Sequence, residues 1–186
     1  MTNIECSPEV KPNFKWVFQT ASRTIAFGFG SGLSPMAPGT AGTLWAWAAF
    51  LLGEYFLSTK EFLWIIGGGI LFGCWVCGYV SEELGKKDFG GIVWDEIVAF
   101  WLVLIFITPT TIWMQIIAFA LFRFFDAMKP GPIGMIDRHF KHAANDSTQR
   151  STFLQMMWRG FGIVVDDLAA AFCTLLVIAL IQFLMK

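Results

Sequence analysis

Fourteen acidic residues occur in this chain of 186, and five of them stand inside or at the ends of long apolar runs. Asp95 and Glu96 interrupt "IVWDEIVAF", Asp126 closes "FRFFD", and Asp166 and Asp167 sit in "GFGIVVDDLAAAF". An ionised carboxylate near hydrocarbon is costly unless it is paired or functional. Gathering several at one depth adds like-charge repulsion, so something cationic must offset it. Arg123, Lys129 and Arg138 supply part of that charge. A bound divalent cation would supply the remainder. Hard oxygen ligands favour Mg²⁺, which commonly takes one or two carboxylates, waters and substrate phosphate. A plainer reading stays open beside this one. Acids at helix N-termini are favoured by the macrodipole, which would account for Asp95, Glu96, Asp166 and Asp167 one at a time. It does not account for Asp126 at a helix C-terminus, where Arg123 three residues earlier can pair with it.

A second candidate lies in "GFGSGLSPMAPGTAGTLWAW", residues 28–47. Gly28, Gly30, Gly32 and Gly39 leave backbone amides sterically open, and Ser31, Ser34 and Thr40 add hydroxyl donors. A glycine-rich turn entering a helix is a good anion cradle. Alone it reads more readily as a turn delivering the chain to a bilayer, because it lacks the third glycine of a dinucleotide fingerprint and the Gly-Lys-Ser/Thr of a phosphate-binding loop. Beside an acid cluster at the same face, it reads as a phosphate site.

The elements that must position these residues follow from composition. The chain is 56% hydrophobic and 15% charged, with mean hydropathy +0.61. A soluble domain is nearer 45–50% apolar and 25% charged. Five apolar segments are marked, at 43–57, 62–80, 92–107, 109–125 and 163–185. A span needs about 20 residues, so the second and fifth are long enough, and the first, third and fourth are short. The third, which contains Asp95 and Glu96, is the weakest span. The expected fold is all-α: a polytopic membrane bundle of about five helices, some not fully crossing, with a polar cytoplasmic leader at 1–21 and one helical domain at 22–186.

If all five cross, the N-terminus and the connections 81–91 and 126–162 share a side. That side holds Lys11, Lys15, Arg23, Lys86, Lys87, Lys129, Arg138, Lys141, Arg150 and Arg159, with Arg123 near a helix end, whereas Lys60 and Lys186 lie opposite. Basic residues of short loops face the cytoplasm. The expectation is therefore N-terminus in, C-terminus out, with Asp95, Glu96, Asp126, Asp137, Asp166 and Asp167 at the cytoplasmic face. Pro109 is expected to open the fourth helix and Pro130 to close it.

Other classes fit less well. A net charge of −1 identifies no partner, and the aromatic segments read as lipid-facing or core rather than as a nucleic-acid platform. Residues 1–23 lack the apolar core of a secretory signal. Cys74 and Cys77 have redox spacing but sit in an apolar run without a second ligand pair, so they read as small buried side chains. His139 and His142 lack further zinc ligands and read as a solvated loop face. A cation transporter would hold its acids at the midplane. A CDP-alcohol phosphotransferase would space its acids along one segment, and a structural subunit would gain nothing from clustered acids.

Taken together, "GFGSGLSPMAPGTAGTL" (28–44), "WDE" (94–96), "FRFFDAMKPGPI" (122–133) and "GFGIVVDDLAA" (160–170) resemble the phosphatidylglycerophosphatase A family over roughly residues 22–180. The resemblance implies an all-helical, Mg²⁺-dependent phosphatase of the bacterial inner membrane. Its implied reaction removes the terminal phosphate of phosphatidylglycerophosphate to give phosphatidylglycerol, in phospholipid biosynthesis. Asp95, Glu96, Asp166 and Asp167 would then hold one or two Mg²⁺ ions. Asp126 would be a further ligand or the general base. Lys129, Arg138, Ser31, Gly32, Ser34, Gly39 and Thr40 would grip the phosphate. The partners implied are the lipid substrate and the bilayer, without nucleic acid; homo-oligomerisation, the metal count and the choice between water and carboxylate as nucleophile stay open. Two positions depart from the family pattern, Ala99 and Ala171, where glycine is usual, and residues 138–158 are longer than the common form.

Overall fold

Proline at residue 38 fixes where the first long helix starts, because its locked φ suits the first helical position and its missing N–H is not needed there. In the computed structural model, which describes residues 11–86, 89–128 and 153–184, that helix is α3 (Pro38–Gly53). Two short helices precede it, α1 (Phe14–Val17) and α2 (Ala21–Ala26), followed by a 3-10 turn at Gly28–Leu33. Next come α4 (Thr59–Glu83), α5 (Trp94–Ile107), α6 (Ile112–Met128) and α7 (Phe153–Leu184). The described residues contain helices and no strand, so the all-helical expectation holds.

Local chemistry sets the ends of α4. Ser58 accepts from the Glu61 amide and the Glu61 carboxylate accepts from the Ser58 amide, a reciprocal cap. At the other end Gly85 takes φ +64°, and the Gly85 and Lys86 amides donate to the Glu82 and Ser81 carbonyls. This left-handed closure satisfies carbonyls that the helix leaves open.

The centre of the molecule is α5. Ile97, Val98, Ala99, Phe100, Val103 and Leu104 are wholly buried, and α3, α4, α6 and α7 surround the helix. A helix apolar all round belongs in a core, and at 14 residues this one is only about 21 Å long. Two indoles lock it to its neighbours. Trp101 donates to the Ala46 carbonyl of α3 (2.8 Å) and Trp94 to the Gly69 carbonyl of α4 (3.0 Å). On the far side, α4 and α7 touch backbone to backbone. A Cβ on Gly78 would lie 2.0 Å from the Met156 carbonyl oxygen, and one on Gly160 1.8 Å from that of Cys74.

The outer surface is apolar. Along α7, Phe172, Leu176, Leu180 and Phe183 form an exposed stripe, and Trp64, Leu71, Phe106 and Trp113 are exposed on other helices. Such a surface, around a core that buries carboxylates, inverts the usual soluble arrangement. Two helices, Thr59–Glu83 and Met156–Leu184, are long and apolar enough to cross a membrane. The shorter α3, α5 and α6 are present as helices but fall below that length, so five full spans is more than the structure supports.

Several boundaries differ from expectation. The first apolar helix begins at Pro38 rather than 43, because the proline and the small residues after it are helical. The fourth opens at Ile112, three residues past Pro109. Among the described residues of the expected leader, Val17 is fully buried in one apolar cluster with Val76 and Val80. Arg23 pairs with Glu83 at the end of α4 and lies over the Trp16 ring (4.1 Å). That carboxylate holds the guanidinium above its ordinary pKa. The largest difference is at α7, which starts at Phe153 rather than 163. Asp166 and Asp167 therefore lie well inside a helix, and its N-terminal dipole does not explain them.

Candidate active site

The loop before α5 is held by the glycine-rich stretch. Gly28, Phe29 and Gly30 take φ of 53°, 56° and 99°, a left-handed run that suits glycine. The run folds the 3-10 turn back so that Gly32 meets Gly91, where a Cβ on Gly32 would lie 2.0 Å from the Gly91 oxygen. Val93 then donates to the Ala26 carbonyl (2.9 Å), fixing the entry to α5. Within the turn the amides of Gly30 and Gly32 both donate to Phe27, that of Ser34 to Ser31, and the Ser31 hydroxyl to Gly28. Those amides, and the Ser31 hydroxyl, are engaged within the turn, whereas Ser31, Gly32 and Ser34 were expected to face phosphate. Their work is to seat Asp95 and Glu96.

The part of the stretch that reaches the acids is residues 39–43. Gly39 lies against Glu96: a Cβ there would be 2.1 Å from Glu96 Oε1. Thr43, one turn on and fully buried, places its hydroxyl 2.9 Å from the Gly39 carbonyl and 3.2 Å from Glu96 Oε2. Residue 37, the N-cap of α3, makes no side-chain cap. Gly39 and Thr40 sit in that first turn, where amides lack intrahelical acceptors. Such a helix start favours an anion.

Arg123, from α6, joins the remaining groups. Its terminal nitrogen donates to Glu96 Oε2 at 2.7 Å and to Asp126 Oδ2 at 2.6 Å, and approaches the Thr43 hydroxyl at 3.5 Å. The Arg123–Asp126 pair one turn apart is as expected; the sharing with Glu96 of α5 is not evident from sequence. Asp167 reaches in from α7, touching Asp126 and facing Asp95 and Glu96. Asp95 and Asp167 are 6% and 4% exposed, and Asp167 Oδ2 is buried without a hydrogen-bond donor. Asp166 is equally buried one position away, about 100° round the helix axis. Cys77 of α4 lies beside Asp95 and Asp167 and is a free thiol in the packed interior, as is Cys74.

Three helices thus bring Asp95, Glu96, Asp126 and Asp167 near one another, with one guanidinium bonded to Glu96 and Asp126. Two carboxyl groups in contact need either a shared proton or a cation between them. The donors are all hard oxygens, the chemistry that suits Mg²⁺. Among the described residues no three acidic, histidine or cysteine side chains already converge as a ligand set. Asp137, Lys129, Arg138, His139 and His142 lie outside the described residues. Thr43 and Arg123's double role were missed by sequence reasoning; the signal available was the spacing of Thr43 four residues after Gly39.

A family model described as Phosphatidylglycerophosphatase A matches residues 24–145. The chain is 40% identical over 165 residues to Phosphatidylglycerophosphatase A of Haemophilus influenzae, covering 87% of this chain and 88% of that protein. It is 35% identical over 147 residues to Phosphatidylglycerophosphatase A of Escherichia coli K12, covering 78% and 74%. It is 30% identical over 165 residues, covering 86% and 92%, to a Bacteroides thetaiotaomicron protein whose proposed name is phosphatidylinositol-3-phosphatase. No solved structure matches.

Proposed function

The chain belongs to the phosphatidylglycerophosphatase A family, and from that premise we propose that this phosphoric monoester hydrolase removes the terminal phosphate of phosphatidylglycerophosphate. The product would be phosphatidylglycerol, which places the enzyme in phospholipid biosynthesis. The observation that carries the reading is the gathering of acids from α5, α6 and α7, with Arg123 bridging Glu96 and Asp126 and the uncapped start of α3 packed on Glu96 at Gly39. A phosphate monoester is an anion that must be held while a nucleophile approaches it. This site offers an anion corner and a carboxylate cluster side by side.

Asp95, Glu96 and Asp167 would hold Mg²⁺, with Asp166 at its margin, and one or two ions are compatible with that donor set. Bound there, Mg²⁺ would neutralise phosphate charge and acidify a water. The orphaned Asp167 Oδ2 and the contact between Asp126 and Asp167 support this assignment. The chain's own groups do the rest. The Gly39 and Thr40 amides hold phosphate oxygens at the α3 start. Asp126 accepts a proton from the attacking water at a carboxylate oxygen, and Arg123 keeps that carboxylate aimed. Lys129 and Arg138 complete the grip from the segment after α6. The burial of Asp95 and Asp167 keeps bulk water from the cluster, which strengthens these charge interactions.

We place α3–α7 in the bacterial inner membrane as a multi-pass bundle, with the N-terminus and the acid cluster on the cytoplasmic side. The basic-residue asymmetry and the exposed apolar surface support that placement. The similarity to the Bacteroides protein favours one second reading, a phosphatase for a different phosphorylated lipid headgroup. Phosphate release from phosphatidylglycerophosphate and from phosphatidylinositol 3-phosphate, measured side by side on purified protein, separates the two. A higher kcat/KM on the first supports the proposal, and a higher value on the second replaces it.

A further inference from the structure

We propose that Thr43 is a positioning residue that fixes Glu96 for the reaction; this rests on the phosphatase reading above. The argument begins with the hydroxyl. Thr43 Oγ1 carries one hydrogen and lies near two acceptors, the Gly39 carbonyl at 2.9 Å and Glu96 Oε2 at 3.2 Å. The Gly39 carbonyl stands four residues earlier in α3, where the helix already gives it a backbone donor. The carboxylate is the stronger acceptor, because a hydrogen bond to a charged group is roughly twice as strong as a neutral one. The proton therefore belongs on Glu96, and the hydroxyl lone pairs face Arg123, whose terminal nitrogen is 3.5 Å away.

The two side chains differ in freedom. Glu96 has three rotatable bonds and stands on the first turn of α5. Thr43 is β-branched, wholly buried and stiff about its one torsion. Arg123 draws Glu96 Oε2 toward Asp126. Gly39 limits Glu96 Oε1 from the other side, since a Cβ there would lie 2.1 Å away. Thr43 is the fixed point between them. It sets which way the carboxylate plane faces, and so which oxygen is presented to the cluster. Thr43 reaches Glu96 and the Gly39 carbonyl, not the amides assigned to the phosphate, so its loss should slow turnover more than it weakens substrate binding.

The test uses the full-length protein in detergent, as wild type, Thr43→Val and Thr43→Ser. Phosphate release from phosphatidylglycerophosphate is measured across substrate concentration, and thermal unfolding is followed in EDTA. Valine keeps the shape and removes the hydroxyl, and serine keeps the hydroxyl and removes the methyl. The expected result is a fall in kcat of about tenfold or more for Thr43→Val with KM within about threefold, since misplacement of a reacting group is read in kcat. Thr43→Ser should recover kcat to within about threefold of wild type by the same reasoning, and both variants should unfold near the wild-type temperature. Wild-type kcat in Thr43→Val overturns the proposal. So does a Thr43→Ser as slow as Thr43→Val, or a Thr43→Val that loses folded protein, which would make the bond structural. A wild type that releases no phosphate refutes the phosphatase reading instead, and this proposal falls with it.

Discussion

At the scale of single residues, the site is defined by buried acids that outnumber the cations beside them among the described residues. Asp167 is 4% exposed and sits against Asp126, Asp95 and Glu96, and Arg123 pairs with Glu96 and Asp126. Removing one partner of a buried pair costs more than the pair contributes, because the other charge is left uncompensated. Arg123→Gln should therefore destabilise the protein by about 3–5 kcal/mol, the range for breaking a buried pair. Thermal unfolding in EDTA checks this, and an unchanged midpoint would contradict it. Asp167→Asn has the opposite sign, because it removes a repulsive charge that lacks a partner at Oδ2. It should leave the protein at least as stable in EDTA while abolishing turnover. Gly39→Ala tests the anion corner: its Cβ meets Glu96 Oε1, so kcat should fall while the α3 helix, which favours alanine over glycine, is retained by circular dichroism. The identities of the acids were legible in sequence because charge in an apolar run is conspicuous. Thr43 was not, because a threonine in a helix usually means only a bond to its own backbone.

The helices explain why the acids converge and why sequence placed some of them wrongly. The dipole account suits Asp95 and Glu96, which occupy the first turn of α5. It fails for Asp166 and Asp167, because α7 begins at Phe153 and carries them in its interior. Gln155, Arg159, Gly160 and Gly162 interrupt the otherwise apolar residues 153–162 and disguised that start. The glycines carried a similar ambiguity. Residues 28–34 read as an anion cradle, yet their hydrogen bonds close within the turn, and Gly32 packs on Gly91 of the loop before α5. Open amides need a helix start, and that start is ten residues later. Close packing of α4 on α7 also depends on glycine, at Gly78 and Gly160. Gly160→Ala would drive a Cβ to 1.8 Å from the Cys74 oxygen, backbone that cannot give. This variant should lower the thermal midpoint strongly and reduce activity in proportion to folded protein, whereas Gly67→Ala, with open space around it, should do neither.

Across the whole molecule, composition foretold an apolar helical bundle but not how its helices divide the work. Two of them have the length and composition of spans, and α5, which hydropathy alone would send into lipid, is instead the buried axis of the bundle. Hydropathy cannot separate a helix surrounded by lipid from one surrounded by other helices. The proposed N-in, C-out arrangement makes a parity prediction. A reporter fused after Lys186 should be active only in its periplasmic form; a cytoplasmic signal would require an even number of crossings. The central claim, however, is chemical: buried carboxylates from three helices hydrolyse a lipid phosphate with a hard divalent cation. The direct measurement is phosphate release from phosphatidylglycerophosphate by the purified protein, with Mg²⁺ or EDTA, for wild type and Asp167→Asn. The account predicts release by wild type with Mg²⁺, and none from wild type in EDTA or from folded Asp167→Asn in either condition. Undiminished release in EDTA, or from Asp167→Asn, would contradict it.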